Sequence, residues 1–350
     1  MAASHRPVNF RGPFPMTTAA RPRDASAAGP AWQRELADAI RDPAELCDLL
    51  GIDTGAVPAA AAGFPMLVPR GFAARMRRGD PHDPLLLQVL PLAAEDAAPP
   101  GWSDDPLAEI DALAAPGLVR KYRGRALLLL TGGCAINCRY CFRRGFGYAE
   151  HGATRRGVAA GLEAIADDET IAEVILSGGD PLLVDDGFLG EVLGRLDRIG
   201  HVRRLRIHTR LPIVLPARVT AGLVEVLRSS RLARVIVIHA NHPREIDAAV
   251  AAAVRTLAAV PAMMLNQSVL LAGINDSAAT LAALSERLVD IGVAPYYLHL
   301  LDRVRGAAHF DVAESRATEI HRRLRDTLPG YAVPRLVREL PGEPAKVWIR

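Results

Sequence analysis

From about residue 120 onward the chain alternates between short apolar, β-rich runs and amphipathic helical stretches, and this alternation limits the fold more than any other feature. The runs fall near 126–131, 172–177, 203–208, 234–239, 262–270 and 295–301. Helical stretches fall near 156–166, 187–199, 216–229, 243–259, 277–291 and 312–327. Successive runs are mostly about thirty residues apart, the size of a β/α unit. Six such units imply a parallel, right-handed array, either an open doubly wound sheet or a partial barrel. Polar motifs recur at the ends of the runs: Ser177-Gly-Gly-Asp180, His208-Thr-Arg210, His239-Ala-Asn-His242, Asn266-Gln-Ser268 and His299-Leu-Leu-Asp302. In a β/α barrel that end carries the active site. The expected fold is therefore α/β, a partial (β/α)6 TIM-like barrel over residues 116–330. Residues 30–115 hold helical patterns at Trp32 to Ile40 and Pro43 to Leu50 and no catalytic motif, so they read as a helical N-terminal extension. Residues 1–29, rich in Ala, Arg, Pro, Ser and Thr, read as a disordered tail, and 331–350 as a C-terminal segment.

The first run leads into Cys134-Ala-Ile-Asn-Cys138-Arg-Tyr-Cys141, a C-x3-C-x2-C spacing. Three thiolates in one loop can hold three irons of a [4Fe-4S] cluster and leave the fourth iron open to a small molecule. In the radical S-adenosylmethionine (SAM) enzymes that molecule is SAM, and Tyr140 fits the aromatic residue usual before the third cysteine. A zinc site would want a fourth nitrogen or sulfur ligand in paired knuckles. The remaining cysteine, Cys47, lies far upstream in an amphipathic helical pattern and reads as a small buried apolar residue. Three clustered cysteines with no secretion signal also make a poor disulfide framework.

Net charge is only +3 and the basic residues are spread out, which argues against a nucleic-acid partner. No apolar run approaches a membrane span, and free thiols with oxygen-sensitive chemistry point to the cytoplasm. Of the 42 basic residues only Lys121 and Lys346 are lysines. A lysine surviving such a bias raises the question of what arginine could not do there, and forming a Schiff base is one answer. Lys121 reads as an ordinary surface residue. Lys346 lies on the Pro/Gly loop Glu339-Leu-Pro-Gly-Glu-Pro-Ala-Lys346, after the apolar Val333-Pro-Arg-Leu-Val337, and could hold pyridoxal phosphate (PLP). Arg125, Asn266 and Gln267 are candidates for the phosphate side.

Ser177, Gly178, Gly179 and Asp180 would let a ligand approach the backbone and offer a carboxylate to an ammonium group, as in the element that binds the SAM amino group. His208, Thr209 and Arg210 rank lower, because a basic strand end is also simply solvated. His239 and His242 read equally well as hydrogen-bonded structural residues.

Together, Lys121-Tyr-Arg-Gly-Arg-Ala, Cys134 to Cys141 with Phe-Arg-Arg, Ser177-Gly-Gly-Asp-Pro-Leu, Arg206-Ile-His-Thr-Arg-Leu-Pro, Leu265-Asn-Gln-Ser-Val-Leu-Leu, Tyr296-Tyr-Leu-His-Leu-Leu-Asp302, Gly306-Ala-Ala-His-Phe and Pro341-Gly-Glu-Pro-Ala-Lys346 resemble the lysine 2,3-aminomutase family. The bacterial branch that supplies β-lysine for elongation factor P (EF-P) looks nearest. The resemblance spans about residues 30–350. It implies a PLP-dependent radical SAM isomerase that turns L-α-lysine into β-lysine, in the R form for that branch. It implies that Cys134, Cys138 and Cys141 hold the cluster, that Lys346 forms the PLP aldimine, that Arg143 pairs with the substrate carboxylate, and that Asp302 and Glu339 hold the distal ammonium. Guanidinium suits a carboxylate, and two acids suit an ammonium while rejecting a glutamate side chain. Implied partners are an electron donor such as a flavodoxin or ferredoxin and, through the product, an EF-P β-lysine ligase. The oligomeric state is open. Two other readings stand beside this one: a 2,3-aminomutase for arginine, ornithine or glutamate, and a non-catalytic iron–sulfur sensor or scaffold.

Overall fold

The computed structural model describes residues 30–56 and 63–350, so the expectation of a disordered tail at 1–29 lies outside the described residues. Among these described residues ten strands follow in chain order: β1 (Leu113–Ala115), β2 (Leu118–Val119), β3 (Arg125–Thr131), β4 (Glu173–Gly178), β5 (Arg204–Thr209), β6 (Ala233–Ile238), β7 (Ala262–Val269), β8 (Ala294–His299), β9 (Arg335–Arg338) and β10 (Val347–Trp348). They form one sheet in which spatial order equals sequence order, and β1 and β10 do not pair with each other. Strands β3 to β9 are all parallel, and short antiparallel pairs, β1–β2 and β9–β10, finish the two edges. The result is an open partial barrel of α/β class.

Among the described residues ten helices accompany the strands: α1 (Ala31–Ala37), α2 (Pro43–Leu50), α3 (Arg70–Ala73), α4 (Arg155–Asp167), α5 (Asp186–Asp197), α6 (Leu211–Val214), α7 (Ala221–Ser229), α8 (Ala248–Leu257), α9 (Ala278–Asp290) and α10 (Glu314–Thr327). Most crossover helices start at a side-chain cap, which fixes their boundaries locally. Thr154, Asp185, Thr220, Asp247 and Ser277 each accept a hydrogen bond from a first-turn N–H of α4, α5, α7, α8 and α9. Their buried apolar residues recur at helical spacing, as Leu189, Val192, Leu193 and Leu196 do on α5, and cover the outer face of the sheet.

Three points differ from the sequence reading. The parallel array has a seventh strand, β9, which hydrogen-bonds alongside β8 and brings the C-terminal segment to the barrel edge. The barrel also begins earlier than residue 116, because β1 and β2 add an antiparallel hairpin to β3. These strands are two or three residues long, too short to show a period. The N-terminal extension is no separate layer either. Trp32, Ile40, Leu46, Phe72, Leu85 and Leu90 belong to the same apolar core as β3 to β6 and their helices.

Candidate active site

The open ends of the strands surround a cavity of about 330 Å³. All three clustered cysteines and Lys346 line it, though 205 residues separate Cys141 from Lys346 in sequence.

Residues from several elements grip the cysteine loop. Arg139 N–H donates to the Gln88 carbonyl at 2.9 Å, and Asn137 N–H to the Leu67 carbonyl at 3.1 Å. The Arg139 guanidinium makes two bonds to Glu95, at 2.7 and 2.6 Å, and Arg144 adds a third at 2.6 Å. Burial alone would raise the Glu95 pKa, but the two arginines hold it below its ordinary value. Arg210, at the end of β5, places one guanidinium nitrogen 2.6 Å from Cys138 Sγ. Its other terminal nitrogen donates to Gln88 Oε1 at 2.7 Å and Glu245 Oε2 at 3.0 Å. Burial pushes the Cys134 thiol well up and the Cys141 thiol up to about 11. Iron must therefore displace protons to bind them. Three cysteines lining one cavity, one of them beside a buried guanidinium, are the kind of donors a three-cysteine iron–sulfur cluster takes.

The Ser177-Gly178-Gly179-Asp180 turn closes β4 against this loop. A Cβ on Gly179 would stand 2.0 Å from the Gly133 carbonyl oxygen, and one on Gly178 would stand 2.6 Å from that of Thr131. Gly178 also has φ +121°, so both positions need glycine. Asp180 corrects the sequence reading. Its carboxylate accepts from Thr209 Oγ1 (2.7 Å), Leu182 N (3.1 Å), Arg210 N (2.7 Å) and Leu211 N (3.1 Å). These occupy the four sites a carboxylate offers. Asp180 thus joins β4 to the end of β5 and has no lone pair left for an incoming ammonium. The glycine carbonyls are the acceptors this turn can offer, although Gly178 O already receives Tyr148 Oη at 2.6 Å.

From Arg143, two residues after Cys141, a chain of ion pairs runs through the site. Arg143 makes a bidentate pair with Glu109, at 2.5 and 2.9 Å. Lys121 Nζ lies 3.1 Å from Glu109 Oε1 and 2.5 Å from Glu339 Oε1. Glu339 Oε2 pairs with Lys346 Nζ. Burial opposes the charge on Glu109 and Glu339, yet Arg143 with Lys121 holds the first, and Lys346 with Lys121 the second, below the carboxylate range. Asp302 behaves oppositely. Burial, and then the Glu339 charge, push its pKa up to about 7. Among the described residues Asp302 has no ion-pair partner.

Three histidines complete the wall near Lys346. His208, His239 and His299 line the cavity, and burial holds all three pKa values far down, His239 to about 3. His208 Nε2, His299 Nε2 and Arg125 Nε are buried without a hydrogen-bond partner. Unpaired buried polar atoms of this kind call for a polar ligand. With an amine at Lys346, they fit an anionic carbonyl cofactor such as PLP.

Some expected residues do not reach the cavity. The Asn266 amide is spent on Ala240 N (2.9 Å), Ala240 O (3.2 Å) and Ser268 Oγ (2.9 Å), so Asn266 is not a phosphate ligand. Gln267, its neighbour on β7, does line the cavity and bonds His239 Nε2 at 3.1 Å. Successive strand residues face opposite ways, so only one of the pair can be at the site. His242 instead caps the short turn Pro243–Glu245. Lys121 is not an ordinary surface residue. The scarcity of lysine was the signal for it, as for Lys346. Glu109 and Gln88 carry no such signal.

Residues 122–202 match the family of 4Fe-4S single cluster domains. The chain is 50% identical to the L-lysine 2,3-aminomutase of Escherichia coli (strain K12) over 319 residues, 90% of this chain and 93% of that protein. It is 45% identical to the L-lysine 2,3-aminomutase of Haemophilus influenzae over 318 residues, 90% of this chain and 94% of that protein. A likeness to a radical SAM methyltransferase from Sphaerobacter thermophilus, with a TM-score of 0.43 and 18% identity over 63% of this chain and 68% of that one, is too weak to add to this. Identity of this extent along nearly the whole of both proteins fixes the family: the chain belongs to the L-lysine 2,3-aminomutase family of radical SAM isomerases.

Proposed function

We propose that this protein converts L-α-lysine to β-lysine, using a [4Fe-4S] cluster on Cys134, Cys138 and Cys141, SAM beside the Gly178–Gly179 turn, and PLP on Lys346. The observation that carries this reading is the single cavity that holds three clustered cysteines, the amine of Lys346 and a set of acids. When bound, the cluster and SAM supply a radical that removes a hydrogen, and PLP supplies a π-system that eases migration of the amino group.

The chain's own residues bind and orient. Arg143 Nε and one terminal nitrogen face Glu109, while the other terminal nitrogen makes only longer bonds to Ser177 Oγ and Gly178 O, at 3.2 and 3.3 Å. That nitrogen is the one a substrate carboxylate would take. Asp302 and Glu339 would receive the distal ammonium, which would draw the proton from Asp302 and stabilise its charge. Tyr297, with the Lys346 Nζ 6.0 Å from its ring centre, and the buried histidines line the cavity around that amine. An acid pair favours a basic side chain and disfavours glutamate. In this reading the product is the R form, destined for EF-P through a β-lysine ligase, with a flavodoxin or ferredoxin as electron source and the cytoplasm as the place of action.

The test is anaerobic. The protein is reconstituted with iron, sulfide and PLP, given SAM, a reductant and L-lysine, and the amino acids are derivatised and analysed by mass spectrometry on a chiral phase. (R)-β-Lysine that disappears in Cys138→Ala and Lys346→Ala is the expected result. SAM cleavage without β-lysine would overturn the substrate, and L-arginine and L-ornithine run in parallel would then identify another basic one. A cluster that assembles without cleaving SAM would favour the sensor reading.

A further inference from the structure

The ion-pair chain joins the two ends of the substrate site, and among the described residues Lys121 is the link between its two carboxylates. Glu109 holds Arg143, at the end where the carboxylate would bind, and Glu339 is one of the two acids for the distal ammonium. Lys121 Nζ contacts both carboxylates, at 3.1 and 2.5 Å. The four side chains Arg143, Glu109, Lys121 and Glu339 are 6%, 2%, 18% and 11% exposed, so water screens these pairs little. Lys121 takes Glu339 Oε1, while Lys346 takes Oε2. A cofactor held on Lys346 would draw that amine away from Oε2 and leave Oε1 with Lys121. In the chain Glu109 and Glu339 then pair with Arg143 and Lys121, and among the described residues Asp302 is the carboxylate of this group with no ion-pair partner.

We propose that Lys121 is a positioning residue that sets substrate choice: anchored on Glu109, it fixes Glu339 so that Oε2 and Asp302 together accept a single ammonium at a set distance from Arg143. The inference rests on the lysine reading given above. It explains why arginine, common everywhere else in the chain, is not at this position. A compact ammonium can bridge two carboxylates from one point, whereas a planar guanidinium imposes a fork.

The test uses the full chain reconstituted with iron, sulfide and PLP. Binding of L-lysine is measured by equilibrium dialysis with SAM but no reductant, followed by turnover of L-lysine and L-ornithine. Lys121→Met is expected to weaken L-lysine binding at least tenfold, to raise KM more than it lowers kcat, and to reduce the preference for L-lysine over the shorter L-ornithine at least tenfold. Lys121→Arg, which restores charge, is expected to recover part of the affinity but not the full preference. Iron and PLP content are expected to match the wild type in both. Unchanged Kd and unchanged preference in Lys121→Met would overturn the inference, as would a Lys121→Arg no better than Lys121→Met. If Lys121→Met does not fold, Lys121→Gln keeps a donor without the charge and is judged by the same criteria. A wild-type enzyme that ignores L-lysine but turns over another amino acid would sink the lysine reading alone, and KM for that substrate in Lys121→Met would then decide the role of Lys121.

Discussion

Asp302 and Glu339 have the same functional group and sit in the same cavity, but they respond to it in opposite ways. Glu339 has two ammonium partners and stays ionised, while Asp302 has none and is pushed up to about 7 by burial and by the Glu339 charge. The raised value means that folding favours protonated Asp302. Its contribution to stability is complete below the unfolded-state pKa of roughly 4 and is lost as pH rises through about 7. Urea unfolding of the cofactor-free protein should show a fall in stability between pH 5 and pH 8 that is smaller in Asp302→Asn. Ligand binding should run the other way. L-Lysine affinity in the reconstituted enzyme is expected to rise as pH climbs through about 7, because an ionised Asp302 attracts the distal ammonium, and Asp302→Asn should flatten that profile. A wild-type profile already flat between pH 6 and 8 would remove Asp302 from the ammonium site. Residue identity alone could not separate the two acids, because the difference lies in what stands beside each.

At the level of elements, the site depends on how the cysteine loop is held between the β4 turn and the N-terminal extension. Gly179→Ala would drive a methyl into the Gly133 carbonyl, on the residue before Cys134. Loss of most of the iron bound on reconstitution is expected, with a lowered Tm. Glu95 is the extension's contribution, and it pairs with both Arg139 and Arg144 beside the same loop. Glu95→Ala leaves two buried guanidinium groups without their acid and should destabilise the protein by about 3–5 kcal/mol, measured by denaturant unfolding. The helices and strands themselves were legible because their signals are local: an apolar period and a capping side chain lie within a few residues of each boundary. The face of a strand was less legible. Alternation predicts that Asn266 and Gln267 point opposite ways, but which one meets the cavity depends on the curvature of the whole sheet.

At the scale of the molecule, the open barrel is closed off by parts that the sequence reading left outside it. Helices α1 and α2 and the segment around Leu85 to Leu90 share one apolar core with the barrel, and Gln88 reaches Arg210, beside Cys138. A chain lacking residues 30–112 is therefore expected to expose that core and to aggregate or bind a hydrophobic dye, instead of persisting as a soluble barrel. A soluble, two-state truncated barrel would show that the extension is dispensable for folding. The C-terminal segment follows the same logic, since β9 and β10 extend the sheet and so carry Glu339 and Lys346 to the cavity.

The sequence by itself determined the order of β/α units, the three-cysteine loop and the unusual status of Lys346, because each depends on residues close together in the chain or on composition. Only the tertiary structure decided that Arg143 is held by Glu109, that Asp180 is saturated, that Asn266 faces away, and that Lys121 joins the two ends of the site. These follow from contacts between residues as far apart as Lys121 and Glu339, and pairing energies at such separation depend on burial and distance, which no local pattern encodes.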